Sequence, residues 1–132
     1  MARTALDLTV EELREYRPDR ELDQRQATER WQQAWEVART LARLLREKFG
    51  ATRVVAFGSL TDRAWFGPWS DIDVAAWGIP AERFYGAVAA ATGLSSVFEV
   101  DLVDPEGSRP AVRRVIEREG VDLCNRKFEF EN

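Results

Sequence analysis

Histidine is absent from the 132-residue sequence, and this absence excludes several kinds of active site at once. Serine–histidine and cysteine–histidine catalysis, imidazole metal ligands and a histidine general base are all excluded. Any chemistry that the chain performs must therefore use carboxylates, hydroxyls, backbone amides and arginine.

Cysteine and long apolar segments are also scarce. Cys124 is the only cysteine, so the chain has no internal disulfide and no cysteine-based zinc cluster. The longest apolar runs fall far short of the ~20 residues that a bilayer span needs. Segment 1–16 becomes charged before the apolar core of a signal peptide could form, so we expect a cytoplasmic protein without membrane association.

The net charge of −4 comes from one part of the chain. Residues 1–50 carry ten acidic and ten basic side chains, so the whole excess of negative charge lies in residues 51–132. An excess of acidic residues argues against stable binding of duplex DNA and favours binding of divalent cations. A solvated surface is the other explanation for such an imbalance.

Periodicity and turn residues divide the chain into alternating helices and strands. TVEE at 9–12 matches a capping box and predicts a short helix that ends before Pro18. A long helix is then predicted over 21–49, because apolar residues recur every three or four positions from Trp31 and Gly50 follows. The other predicted elements are strands 52–57, 71–77 and 97–104, helices 79–93 and 108–120, and a short edge strand after 120.

This order of elements predicts a single small α/β domain. We divide the chain into an N-terminal helical arm at 1–20, the main domain at 21–125 and a frayed tail at 126–132. The arm is either a solvated extension or a surface that grips a partner subunit or a second copy of the chain.

Three aspartates are predicted to converge on one side of the sheet. Asp71 and Asp73 are two positions apart in a strand, so both side chains point to the face opposite Ile72. Asp101 lies on the polar face of the next strand. Like charges so close destabilise a fold unless a cation neutralises them, and Mg²⁺ binds through carboxylates together with substrate phosphates. A solvated acidic strand face is the alternative explanation.

A Gly–Ser pair follows the first predicted strand. Gly58 has no Cβ and would let backbone amides approach a ligand without a clash. A helix that begins at Ser59 would direct its free amides at an anion. Ordinary turns also use this pair, so the pair alone is weak support for a phosphate site.

The loop that follows carries further candidates. Arg63 is a candidate to bind phosphate, although a surface arginine is the simpler interpretation. Ser70 is placed among the ligand-binding candidates and is also expected to shape the turn into the next strand. Trp65, Trp69 and Trp77 are large enough to stack on a base, but we expect Trp69 and Trp77 to pack the loop against the sheet.

Together these motifs resemble the DNA polymerase β-type nucleotidyltransferase superfamily and, more narrowly, the minimal nucleotidyltransferases, or MNT proteins. The segments FGSL…WSDIDVAAWG, FEVDLVDPE and VIEREG carry the similarity, which covers roughly residues 30–123. Eleven residues separate Ser59 from Asp71 where the family usually has ten, and the loop can absorb the extra residue. The resemblance implies the small nucleotidyltransferase fold over 21–125, a short mixed sheet flanked by helices.

The resemblance also implies a role for each motif. Gly58 and Ser59 would hold the β- and γ-phosphates of a nucleoside triphosphate, with ATP as the expected donor. Asp71 and Asp73 would coordinate two Mg²⁺ ions, and Asp101 would bind the catalytic ion and take the proton of the attacking hydroxyl. Metal and carboxylate would then supply the activation for which many enzymes use histidine.

A partner protein is implied as well. In the family, the frequent partner is a small helical HEPN protein, a ribonuclease toxin, and the MNT protein is the antitoxin that transfers AMP to a tyrosine of the toxin. The resemblance therefore implies a HEPN-type toxin, or self-association, for this chain. Two alternatives stay open: an antitoxin that acts by binding alone, and a nucleotidyltransferase that modifies a hydroxyl of a small molecule.

Overall fold

The computed structural model describes residues 20–123. The predicted capped helix, the rest of the arm at 1–19 and the tail at 126–132 lie outside the described residues, and the division of the chain at 21–125 stays a prediction. Within residues 20–123, no helix combines the length and the apolar character that a membrane span requires.

Three helices and four strands alternate along the described chain, in the predicted order. The helices are α1 (Arg20–Phe49), α2 (Ala81–Thr92) and α3 (Pro110–Glu119). The strands are β1 (Arg53–Phe57), β2 (Ile72–Trp77), β3 (Val100–Val103) and β4 (Val121–Asp122). A short 3₁₀ helix follows β1 (Gly58–Thr61), and another follows β3 (Pro105–Gly107).

β3 is shorter than the strand predicted at 97–104. The hydroxyl of Ser95 accepts hydrogen bonds from the backbone N–H groups of Val97 and Phe98, each at 3.0 Å. These bonds hold the start of the segment in a local turn that competes with strand pairing. The predicted alternation is nevertheless confirmed, because Val100 is buried whereas Asp101 is exposed.

The four strands form one mixed sheet in the order β3-β2-β1-β4. β1 pairs antiparallel with β2 and β4, whereas β2 and β3 run parallel. A mixed sheet flanked by helices confirms the predicted α/β class and agrees with a small nucleotidyltransferase-like fold. The register places Asp73 of β2 between Phe57 on β1 and Asp101 on β3.

The larger core lies between the sheet and the first two helices. α1 contributes the predicted apolar stripe, in which Ala38, Leu41 and Leu45 are fully buried. Half-buried Trp31 donates its indole N–H to the carbonyl of Leu60 at 2.9 Å, which ties α1 to the turn after β1. The sheet residues of this core occupy alternate strand positions and include Val54, Ala56, Ile72, Val74, Val100 and Leu102.

α3 packs on the opposite face of the sheet. Its buried residue Ile116 belongs to a smaller core with Val55 and Ala75. Asp73 and Asp101 alternate along their strands with the residues of the larger core, so their side chains lie on this second face. The predicted separation of the aspartates from the apolar positions of their strands is thus confirmed.

Candidate active site

Two of the three predicted carboxylates lie on neighbouring parallel strands. Asp73 of β2 and Asp101 of β3 are register partners. Asp71 comes immediately before β2, and the N–H of Ile72 donates to the carbonyl of Glu99 at 2.9 Å, which fixes the start of β2 beside β3. Asp71 and Asp73 are half-buried, whereas Asp101 is exposed.

Burial and charge repulsion both act on Asp73. The pKa of its carboxyl is raised to about 6, first by burial and then by the negative charges of Asp101 and Asp71. Among the side chains described in residues 22–123, no lysine or arginine forms an ion pair with any of these aspartates. Asp71 and Asp101 thus lie close enough to Asp73 to raise its pKa, and no ion pair of the described side chains offsets this repulsion.

Gly58 brings the turn after β1 directly against Asp73. Its φ of +75° belongs to the left-handed region that favours glycine. A Cβ on Gly58 would lie 2.5 Å from Oδ2 of Asp73, so a larger residue would displace this carboxylate. The hydroxyl of Thr61 donates to the carbonyl of Gly58 at 2.8 Å and closes the turn. The Gly–Ser pair and the Asp-x-Asp motif thus meet in the folded chain.

An open groove of about 610 Å³ lies along this turn, a volume typical of small-molecule sites. Its wall contains the Gly–Ser pair predicted to bind phosphate, part of the segment that follows, and the junction of α3 and β4. The residues are Gly58, Ser59, Thr61, Asp62, Trp65, Glu119 and Val121. Sequence reasoning missed Glu119 and Val121, because tertiary contacts bring this junction to the turn: β4 pairs with β1, and α3 contacts both β1 and the turn. The short edge strand predicted after residue 120 was the sequence signal that could have indicated these two residues.

Two predicted binding residues have their own partners in this structure. The guanidinium of Arg63 donates a hydrogen bond to the hydroxyl of Thr28 on α1. The hydroxyl of Ser70 accepts a hydrogen bond from the N–H of Gly67 at 2.9 Å. Ser70 therefore shapes the turn into β2, whereas contact of Arg63 or Ser70 with a nucleotide stays a prediction.

The tryptophans of this region occupy different environments. Trp77 is half-buried beside the smaller core, and the guanidinium of Arg53 lies 4.6 Å from its ring centroid. Trp69 is 94 % exposed, so the prediction that it packs the loop against the sheet is wrong. Phe66 takes this role instead: it is buried, and its ring centroid lies 6.3 Å from that of Phe98.

The chemistry of the site fits a hard divalent cation. Asp71, Asp73 and Asp101 offer carboxylate oxygens, the ligand type that Mg²⁺ prefers. The missing Cβ of Gly58 leaves room beside Oδ2 of Asp73. As the side chains stand, no group of three or more acidic or cysteine residues in the described part of the chain forms a metal-binding arrangement. Binding of Mg²⁺ is therefore a proposal.

Comparison with known proteins yields a likeness in fold. No family model matches the sequence, and no curated protein matches it. The structure is similar to a chain of a solved structure described as "Crystal structure of the toxin-antitoxin with AMP-PNP", with a TM-score of 0.52 and 20 % sequence identity. The match covers 65 % of this chain and 71 % of that chain. At this identity, the likeness shows a shared fold.

Proposed function

We propose that this protein is a Mg²⁺-dependent nucleotidyltransferase that transfers AMP from ATP to a hydroxyl group. The observation that carries the proposal is the approach of Gly58 to Asp73, which is in turn the register partner of Asp101. A glycine turn that can bind phosphate and carboxylates on adjacent strands are two components of metal-assisted phosphoryl chemistry.

Each part of the site has a role in this proposal. Gly58 and Ser59 bind phosphates through their backbone amides and the serine hydroxyl, and Asp71, Asp73 and Asp101 would hold two Mg²⁺ ions. When bound, Mg²⁺ would supply charge neutralisation at the phosphates and a lower pKa of the acceptor hydroxyl. A bond forms between the acceptor oxygen and the α-phosphorus, and the bond to pyrophosphate breaks. Asp101, the exposed member of the three, receives the hydroxyl proton.

The acceptor in this proposal is a tyrosine of a HEPN-type toxin, for which the protein is the antitoxin. One support is the similar solved structure, which is described as a toxin-antitoxin with AMP-PNP. Another is the resemblance of the sequence motifs to MNT proteins. The exposure of Asp101 is a third, because a side chain of another protein can reach a carboxylate at the surface.

Nucleotide binding is tested by isothermal titration calorimetry on the full chain. Wild-type protein should bind ATP with Mg²⁺ and not with EDTA, and Asp73→Asn should remove this binding. Glu82→Gln is the matched control, because Glu82 is an exposed carboxylate on α2, which packs on the other face of the sheet. Unchanged ATP affinity in Asp73→Asn would exclude the site assignment.

Transfer is tested by intact-mass spectrometry of a HEPN-type toxin, to be sought among the proteins encoded beside this one, after incubation with the chain, ATP and Mg²⁺. The toxin mass should increase by one AMP unit with wild-type protein and not with Asp73→Asn. Full neutralisation of the toxin by Asp73→Asn, without a mass increase, would establish an antitoxin that acts by binding alone. Nucleotide binding without any protein acceptor would favour a small-molecule hydroxyl.

A further inference from the structure

Trp65 combines high exposure with a position at the groove. Its side chain is 76 % exposed, and it lines the same groove as Gly58 and Ser59. We infer that Trp65 stacks on the base of the bound nucleotide while Gly58 and Ser59 hold its phosphates. This inference rests on the proposed function and adds the residue that binds the nucleoside part of the substrate.

The loop that carries Trp65 is held in place by its own hydrogen bonds. The carbonyl of Asp62 accepts hydrogen bonds from the N–H groups of Trp65 at 2.9 Å and Phe66 at 3.1 Å. The Asp62 carboxylate accepts a further bond from the N–H of Ala64 at 3.0 Å. Phe66 is buried against Phe98 and anchors the loop in the larger core. The loop is thus ordered before a ligand binds, which reduces the entropic cost of stacking.

The position of the phosphates indicates which part of a nucleotide lies beside Trp65. In the proposed function Gly58 and Ser59 hold the phosphates, so the part of the ligand that reaches Trp65 is the uncharged nucleoside, whose base presents a flat face to the indole. Asp62 and Glu119, the acidic side chains of the described wall, can only accept hydrogen bonds when ionised and do not attract phosphate. A purine offers more stacking area than a pyrimidine, so ATP and GTP should bind more tightly than CTP and UTP.

The experiment compares the Kd of MgATP with that of magnesium tripolyphosphate, which has no base, by calorimetry on the full chain. Trp65→Ala should weaken MgATP binding by about 5- to 150-fold, the usual range for loss of one base–aromatic stack, and leave tripolyphosphate binding unchanged. Trp65→Phe should restore most of the ATP affinity. Trp69→Ala is the matched control from the same loop and should change neither Kd.

The outcomes separate this inference from the proposed function. An unchanged Kd for MgATP in Trp65→Ala would overturn the stacking inference, and so would an equal loss of affinity for MgATP and magnesium tripolyphosphate. Neither result would contradict the proposed phosphate and metal site. Tighter binding of CTP and UTP than of ATP and GTP would also overturn it. If wild-type protein binds neither MgATP nor magnesium tripolyphosphate, the proposed function and the stacking inference both fail.

Discussion

Asp73 lies where the sheet, the turn after β1 and two other carboxylates meet, and this position makes its ionisation unfavourable. The pKa of Asp73 is raised from the ordinary value of 3.8 to about 6 in the folded chain. The folded state therefore binds this proton more tightly than the unfolded state does. Because of this difference, the contribution of Asp73 to the free energy of unfolding falls as the pH rises from about 4 to about 6.

Asp73→Asn should therefore stabilise the metal-free protein at high pH. At pH 8 we expect the free energy of unfolding to rise by about 1–2 kcal/mol, because the variant no longer buries an ionised carboxyl beside like charges, a cost that solvent screening of the half-buried side chain reduces. At pH 4 the two proteins should be nearly equal, since Asp73 is then protonated in the folded wild type. Urea unfolding with EDTA at both pH values measures the difference. Glu82→Gln should show no such pH dependence, and an Asp73→Asn effect equal at pH 4 and pH 8 would contradict the raised pKa.

Gly58→Ala should destabilise the protein for two separable reasons. The positive φ costs about 1–2 kcal/mol with any side chain, and the new Cβ meets Oδ2 of Asp73 at 2.5 Å. In an Asp73→Ala background the second cost disappears, because the remaining Cβ of residue 73 is 3.6 Å away. A double-mutant cycle by urea unfolding isolates the steric contribution. Equal costs in both backgrounds would show that the carboxylate moves aside freely.

Among the elements, α2 contains a glycine that a helix interior does not favour. Gly86 is exposed in the middle of Ala81–Thr92, and a Cβ there would lie 3.4 Å from the ring of Phe49. Gly86→Ala should stabilise the protein by about 0.5–1 kcal/mol, because alanine loses less backbone entropy on folding. Thermal and urea unfolding measure this change. Ala89→Gly, at an exposed position of the same helix, is the control and should have the opposite sign. A loss of stability in Gly86→Ala would show that Phe49 cannot accommodate the methyl group.

The helices and strands of residues 20–123 were predictable because each pattern depends on local burial. The stripe of α1 faces a sheet, and the alternation in β2 separates Ile72 from the aspartates. The ends were predictable to within a few residues. The largest difference is at β3, where the hydroxyl of Ser95 forms turn hydrogen bonds that the apolar pattern of 97–104 does not indicate.

The candidate site was predictable only where one element carries it. The shared face of Asp71 and Asp73 follows from their spacing, whereas the contact of Gly58 with Asp73 depends on how β1 pairs with β2. The loop has no periodicity, so its sequence does not show which aromatic residue turns inward. Phe66 is buried and Trp69 is exposed for that reason, contrary to prediction.

At the scale of the whole molecule, charge and site lie in the same part of the chain. The net charge of −4 arises from residues 51–132, which also contain the turn and the three aspartates. Such a region repels free polyphosphate and attracts divalent cations. In the proposed function, ATP should therefore bind only together with Mg²⁺.

Because ATP should bind only together with Mg²⁺, addition of MgATP should reverse the order of stability of wild type and Asp73→Asn. Without ligand, Asp73→Asn is expected to be more stable than wild type by about 1–2 kcal/mol at pH 8. MgATP at roughly 1,000 times its Kd should stabilise wild type by about 4 kcal/mol and leave Asp73→Asn unchanged, so wild type becomes the more stable protein. Urea unfolding with MgATP, and with ATP plus EDTA, measures both states, and Glu82→Gln should follow wild type throughout. A variant damaged in folding could not produce this reversal, because it would be the less stable protein in both conditions. Equal stabilisation of wild type by ATP in EDTA, or of Asp73→Asn by MgATP, would contradict a metal-dependent nucleotide site at Asp73.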